Sequence, residues 1–531
     1  MFTYFKILRS TSSQQQLIST ALTAVMILFL FSGCSLPVAS QTTVLKTDKG
    51  YIRGRMENKV LVFRGVPYAK APTGNLRFKA PQPADSWTDT LSCETFGSIA
   101  AQYNGAEKVT AGEENCLSLN IYAPSPSGTG APSEGKQKSL TKPKLPVVVW
   151  VHGGGMTSGA GKGMDGKAFS GQDSIITITI NYRLGVFGFL YLGDQQKDYS
   201  SSGNNGLLDC IMALQWIRKN ISAFGGDPSQ VTVMGESAGA KLVSTLLVAP
   251  KAKGYYHQLI LESGSVHCIR DSSTAKSIRK RLLDSLGLKK PSDLLSLSTS
   301  QLIEAQHKVC SGAQGTNYFG PVQDGKVITS DPYLYIKGHP DPKIRLLIGT
   351  NSAESKMFMN SDKRLFHPDD RVLMDWFGNN YHYIKSADRK ALAATAELSY
   401  ETNLFTQYMY QMHSYRLAKA LVTHQTPVWV YRFDYSRDHS GANHAQELDY
   451  VWFTGSNNAF NKEEIALAQQ MHQAWVNFIR GKSPGAINHT QWPSYNNEVR
   501  AVQVFDRSSH LETHKNIFDD PNYPSSAIVL K

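Results

Sequence analysis

The chain has 531 residues, 41% of them hydrophobic and 18% charged. That is too apolar for a disordered chain and too polar for a protein of many membrane spans. A formal charge of +12 invites a nucleic-acid or membrane-surface reading, and six cysteines exclude a disulfide-built scaffold without excluding a few staples.

Residues 1–16 are polar and carry Lys6 and Arg9 with no acid, and Leu17 to Phe31 is almost wholly apolar or small. A basic start, a short apolar run and a small-residue end describe an export signal, since a membrane span needs about 20 residues. Leu30-Phe31-Ser32-Gly33-Cys34 is similar to a bacterial lipoprotein signal, in which the cysteine is lipidated and becomes the new N-terminus. Phe31 stands where that pattern usually has Leu. Val38-Ala39-Ser40 offers ordinary cleavage after Ser40 instead. The expected layout is an export signal over 1–33, a short tether over 34–43 and one folded domain over 44–531. The folded part is then exported: attached to the outer membrane or periplasmic as a lipoprotein through Cys34, or secreted. Cleavage before Cys34 leaves 498 residues and a net charge of +10. The remaining basic excess is scattered, with no run of five or more basic residues and no basic–aromatic interleaving. It reads as solvated faces and not as a nucleic-acid site, and at most favours an anionic membrane surface or acidic ester substrates.

Further along, Pro124 to Ser133, continuing through Lys142, is loop chemistry and reads as a surface excursion. A buried strand follows at Val147 to Val151. More short runs, apolar on both faces, occur at Ile175 to Ile180, Val231 to Met234, Leu259 to Leu261, Leu346 to Ile348 and Val428 to Phe433. Helical patterns lie between them, as at Leu207 to Asn220 and Ala275 to Leu286. Such alternation over roughly 300 residues predicts an α/β fold with a large, mostly parallel central sheet flanked by helices.

Val231 to Met234 runs into Gly235-Glu236-Ser237-Ala238-Gly239, and a helical pattern begins at once. G-x-S-x-G between strand and helix suits a nucleophile on a sharp turn, where side chains two residues away would clash. The strand Val147 to Val151 ends in His152-Gly153-Gly154-Gly155. Three glycines there let backbone amides reach a substrate oxygen, so the candidate oxyanion donors are Gly154, Gly155 and Ala238. A general base and an acid should follow in the order serine, acid, histidine. Glu354 lies just past Leu346 to Ile348, and His444 just past Val428 to Phe433, both beyond the carboxyl ends of strands. On spacing alone, Asp324 and His257 are rivals.

The motifs extend well beyond the elbow. Phe63-Arg64-Gly65-Val66-Pro67-Tyr68-Ala69 runs on to Gly74-Asn75-Leu76-Arg77-Phe78. Glu114-Asn115-Cys116-Leu117-Ser118-Leu119-Asn120-Ile121-Tyr122 carries Asn115 where an Asp is usual. Asn181-Tyr182-Arg183-Leu184-Gly185, Gly203-Asn204-Asn205-Gly206-Leu207-Leu208-Asp209, Phe224-Gly225-Gly226-Asp227-Pro228 and Gly441-Ala442-Asn443-His444-Ala445-Gln446-Glu447-Leu448 follow in order. From about Val44 to the C-terminus the chain resembles the type-B carboxylesterase and cholinesterase family of α/β-hydrolases.

The resemblance implies a serine hydrolase cleaving carboxylic esters through an acyl-enzyme, with Ser237 as nucleophile, His444 as base and Glu354 as the acid. Glu236 matches a position that adds negative charge near the imidazolium; a loop anchor is the alternative role. Arg77–Glu114 and Arg183–Asp209 match structural ion pairs. The family's first disulfide lacks its usual cysteine in Phe96-Gly97-Ser98-Ile99-Ala100. Cys93 is then the alternative partner of Cys116, and Cys268 with Cys310 would form the second bridge. Cys210 reads as a buried free thiol. Gly105 to Asn115 contains no aromatic residue and Met357 stands where an aromatic helps hold choline, so a choline ester is disfavoured. Met156, Met357 and Phe358, with Glu236, are the expected pocket residues.

No cofactor and no metal are expected, and the expected partner is a small-molecule ester. A lipase, an esterase for one bulky natural-product ester, and a non-catalytic binding protein on the same fold remain the alternatives. Activity is expected to fall as His444 protonates, below about pH 6–6.5. Asn488-His489-Thr490 matches a glycosylation sequon and is read as chance beside a bacterial-looking signal. No motif speaks to oligomeric state.

Overall fold

A computed structural model of the chain describes residues 42–125, 144–310, 318–387, 398–455, 459–514 and 517–530. The export signal, Cys34 and most of the polar excursion before Lys142 lie outside the described residues.

Thirteen strands form the main sheet. In chain order they are β1 Thr42–Lys46, β2 Tyr51–Glu57, β3 Val60–Pro67, β4 Leu91–Ser92, β5 Ser118–Pro124, β6 Leu145–Val151, β7 Ile176–Ile180, β8 Gly226–Glu236, β9 Gln258–Glu262, β10 Arg345–Asn351, β11 Val428–Phe433, β12 Ala501–Phe505 and β13 His510–Thr513. Their spatial order is β1-β2-β3-β5-β7-β6-β8-β9-β10-β11-β12-β13, with β4 on β2. The block from β7 to β12 is parallel throughout, and antiparallel strands close both edges.

The parallel strands are apolar on both faces because each face meets a core. Val147, Val149, Val151, Val233, Leu261 and Ile348 point into one cluster, with Leu207, Ile211 and Leu214 of α1 (Asn205–Asn220). Val148, Trp150, Met234, Ile260, Leu347 and Trp429 point into the other. This is the two-residue period of a strand read out by burial. Helix α2 is Ala238–Thr245. Helix α3 (Ser272–Leu286) starts on Asp271, whose side chain accepts from the Thr274 amide, and stops at Gly287 in the left-handed region at φ 66°.

Helices α4 (Ser355–Ser361) and α5 (Asp370–Phe377), a π-helical segment Gln407–Gln411 and α6 (Met412–Thr423) follow. Phe358, Trp376, Phe377, Tyr408, Tyr410 and Met412 from these elements build a third apolar cluster. Helix α7 (Lys462–Ile479) begins with a capping box between Asn461 and Glu464 and covers the second face through Met471, Trp475 and Phe478.

Two ion pairs brace the loops at the sheet's end. Arg183 makes bidentate contacts of 2.7 and 2.8 Å with Asp209, and both are essentially solvent-free. Arg77 makes contacts of 2.5 and 2.8 Å with Glu114.

All five described cysteines are buried free thiols, so neither expected bridge is present. Each sulfur packs as a small apolar group. Cys268 Sγ lies 3.5 Å from Thr245 Oγ1 and from the Lys241 carbonyl. Burial pushes the Cys93 thiol up to about 12, which keeps it uncharged.

Candidate active site

Strand β8 ends at Glu236 and α2 begins at Ala238, so Ser237 alone makes the turn. Its φ of 54° and ψ of −120° are strained for a residue with a Cβ. The strain is held by two backbone bonds: Ser237 N–H donates to the Glu262 carbonyl at 2.8 Å, and the Ser237 carbonyl accepts from Lys241 N–H at 2.9 Å. The flanking glycines have a steric cause. A Cβ on Gly239 would sit 2.0 Å from the Val151 carbonyl oxygen, and one on Gly235 would sit 2.6 Å from the Gly239 carbonyl carbon. Glycine is what lets β6 press against the elbow.

Two loops, each leaving the carboxyl end of a strand, meet this serine. Ser237 Oγ lies 2.8 Å from His444 Nε2, and His444 Nδ1 lies 2.6 Å from Glu354 Oε2. The other Glu354 oxygen accepts from Ser263 Oγ at 2.5 Å and from the Asn351 amide at 2.8 Å. Held by three donors, Glu354 is placed to keep the proton of His444 on Nδ1, which leaves Nε2 free to accept. The loops are joined to each other: Ala353 N–H donates to the Ala442 carbonyl at 2.9 Å, and Ala442 N–H to Ser352 Oγ at 3.0 Å. The two rivals serve elsewhere. Asp324 accepts from the amides of Lys326, Val327 and Ile328 in its own turn. His257 precedes β9 and contacts Val231 N–H, at the amino ends of the strands.

The triple-glycine loop lies directly over the elbow. A Cβ on Gly153 would meet Glu236 Oε2 at 2.8 Å and Ser237 Cβ at 3.3 Å. Gly154 and Gly155 both take positive φ, 102° and 62°. The Gly154 carbonyl accepts from Thr157 N–H at 3.1 Å and Ser158 N–H at 3.0 Å, which closes the turn. His152 at its root is stacked on Tyr182 and pushed down to about 4 by burial, so it stays neutral.

Two further buried carboxyls, Glu236 and Glu447, face His444, and a third, Glu262, faces those two. Glu236 Oε1 lies 3.1 Å from His444 Nε2. Glu447 accepts from Asn351 Nδ2 at 2.5 Å, and Glu262 from Trp475 Nε1 at 2.8 Å. Burial raises all three above the ordinary carboxyl range, since each would be a charge in a dry, acidic neighbourhood. Burial by itself lowers the pKa of His444; the carboxylates of Glu236 and Glu354 outweigh it and raise the imidazole above its usual value. The acid limb therefore belongs above the pH 6–6.5 suggested by an isolated imidazole.

Gly155, Ala238 and Met156 line one cavity beside the elbow. Met357 does not, contrary to the sequence expectation: it is 41% exposed. On α4, Ser355, Phe358 and Met359 turn inward, and the helical period leaves Met357 facing solvent. Phe358 packs on the His444 ring with centroids 5.3 Å apart, and on Trp376 at 5.6 Å. Tyr410, absent from every motif, places its hydroxyl 3.4 Å from His444 Nε2. Glu262, Ser263, Asn351 and Tyr410 carry no sequence signal; Glu447 had one, as an acid three residues after His444. Among the described residues, no group of three or more His, Cys, Asp or Glu side chains is arranged to hold a metal, and no helix is long and apolar enough to cross a membrane.

A mostly parallel sheet flanked by helices, with a serine on a strained strand–helix turn and a histidine and an acid on later loops, is an α/β-hydrolase. Residues 41–519 match the model of the carboxylesterase family. The chain is 33% identical over 500 residues to the para-nitrobenzyl esterase of Bacillus subtilis, covering 88% of this chain and 96% of that one. It is 31% identical over 517 residues to the fumonisin B1 esterase of Sphingopyxis macrogoltabida, covering 90% of each. The crystal structure of a Geobacillus stearothermophilus carboxylesterase superposes with a TM-score of 0.75 at 33% identity, covering 89% of this chain and 98% of that one. The chain belongs to the carboxylesterase family and is a carboxylic-ester hydrolase.

Proposed function

We propose that Ser237 is the nucleophile, His444 the general base and Glu354 the acid that orients it. The observation that carries this reading is the continuous buried line from Ser237 Oγ to His444 Nε2 at 2.8 Å and from His444 Nδ1 to Glu354 Oε2 at 2.6 Å. Ser237 attacks the ester carbonyl as His444 takes its proton. The developing oxyanion rests on the amides of Gly154, Gly155 and Ala238, each such donor being worth about 10²–10³ in rate. His444 then protonates the departing alcohol, and water repeats the cycle on the acyl-enzyme. Fluorophosphonate labelling that disappears in Ser237→Ala tests this assignment. Labelling that survives the substitution overturns it.

The substrate is a small-molecule ester, a reading supported by the names of the para-nitrobenzyl and fumonisin B1 esterases. Residues 1–33 act as an export signal that ends before Cys34, which is lipidated and tethers the enzyme to a membrane; Gln41 as the mature first residue is the alternative. The mass of the mature N-terminal peptide, with palmitate labelling of wild type and Cys34→Ala, distinguishes them.

A further inference from the structure

The loop that carries two of the oxyanion donors is clasped from outside the catalytic line. Residues Gly153 to Gly159 fold back on themselves: a Cβ on Gly159 would sit 2.6 Å from the Gly153 carbonyl oxygen. The two ends of the turn therefore meet, with the amides of Gly154 and Gly155 between them. At that closure the Gln102 side chain holds one residue twice. Its Oε1 accepts from Gly159 N–H at 2.9 Å, and its Nε2 donates to the Gly159 carbonyl at 3.0 Å. The same Nε2 donates to the Ala100 carbonyl at 2.9 Å, which fixes the direction of the side chain itself.

Gln102 belongs to none of the sequence motifs and is 8% exposed. It starts a short antiparallel pair, Gln102–Asn104 with Val109–Ala111, that stands apart from the main sheet. Backbone bonds from Ala101 N–H to the Glu113 carbonyl at 3.0 Å and from Glu113 N–H to the Ile99 carbonyl at 2.9 Å hold this segment independently of the clasp. The oxyanion loop has other ties as well. Gly161 N–H donates to Asn181 Oδ1 at 2.8 Å, Asn181 Nδ2 donates to the Ser98 carbonyl at 3.1 Å, and Gly185 N–H donates to the Met156 carbonyl at 2.7 Å. With Gln102 changed, the loop stays attached at these points, and Gly159 alone loses the partner that fixes both of its polar groups. Gly159 is half-buried, so water can satisfy those groups, but water does not set where they point.

We infer that Gln102 is a positioning residue for the oxyanion site: its amide sets Gly159, and through the closed turn it sets the amides of Gly154 and Gly155. This rests on ester hydrolysis at Ser237, with those amides as donors, as read above. The donors act on charge that develops only as Ser237 adds to the carbonyl. The contribution of Gln102 therefore belongs to the transition state and not to ground-state binding.

The test uses the full chain and two variants. Gln102→Met keeps the length and removes both hydrogen bonds to Gly159; Gln102→Asn keeps the amide but is one bond too short to reach both groups. Active sites are counted by titration with a fluorophosphonate. Three quantities are then measured per site: kcat/KM on benzyl acetate, Ki of 1,1,1-trifluoro-4-phenylbutan-2-one, whose adduct with Ser237 carries the oxyanion, and Ki of benzyl alcohol, which carries none. Each variant is expected to lose roughly 10- to 100-fold in kcat/KM, short of the loss of a whole donor. Ki of the ketone should rise by the same factor, and Ki of the alcohol should stay within about twofold. A kcat/KM within about twofold of wild type, or equal weakening of ketone and alcohol, overturns the inference. Loss of titratable sites in both variants also overturns it, since Gln102 then serves the fold alone. With wild type labelled and cleaving benzyl acetate, any of these results falls on this inference only. A wild type that neither labels nor cleaves overturns the esterase assignment and this inference with it.

Discussion

Glu236→Gln isolates one charge from the cluster around His444. The carboxyl oxygen lies 3.1 Å from His444 Nε2, well inside the range where an opposite charge favours the protonated imidazole. Only the neutral imidazole can accept the Ser237 proton, so activity is lost as pH falls through the His444 pKa. Glu236 raises that pKa, and its removal must lower it. A charge at this range moves a pKa by about 1–3 units. Glu236 shares the influence with Glu354, and its own burial keeps part of its population neutral, so the low end applies. The acid limb of kcat/KM is expected to move down by about one unit, equivalent to about 1.4 kcal/mol of interaction with the imidazolium. The assay is kcat/KM on a neutral ester from pH 5 to 9, which reports the free enzyme. An unmoved limb, or one that moves up, refutes the electrostatic reading of this residue.

Ser237→Ala should cut kcat by roughly 10⁶, and a variant retaining more than a few per cent of activity would remove Ser237 from its role. Gly239→Ala drives a Cβ to 2.0 Å from the Val151 carbonyl oxygen, so the elbow must shift; kcat on a neutral ester should fall about 10²-fold, and wild-type kcat would show that the glycine is dispensable. Arg183→Met strands the Asp209 carboxylate with no solvent exposure and should cost about 3–5 kcal/mol, seen as a lower urea midpoint; an unchanged midpoint would contradict the bracing role.

Much of the site was legible because its demands are local and steric. A strand that stops at Glu236 and a helix that starts at Ala238 need glycine on either side of Ser237, whatever the rest of the chain does. The triple glycine after β6 is the same kind of signal. The parallel strands were legible because two-faced burial requires continuous apolar runs. The edge strands were not: β1, with its burial alternating between exposed and half-buried, has no such run and exists through its pairing with β2. Met357 and Phe358 are neighbours in sequence, yet only the helix phase decides which one meets His444.

Glu354 and His444 were two carboxyl-end residues among several until a family resemblance selected them. The contacts that unite the line span 207 residues from Ser237 to His444 and 90 from His444 to Glu354. No local pattern encodes a through-space distance. The same holds for the acids around the imidazole and the cysteines that remain thiols. Sequence alone determined which residues the backbone can tolerate at its sharp turns. Tertiary structure decided which charges face one another without water, because burial and electrostatic coupling depend on where distant segments come to rest.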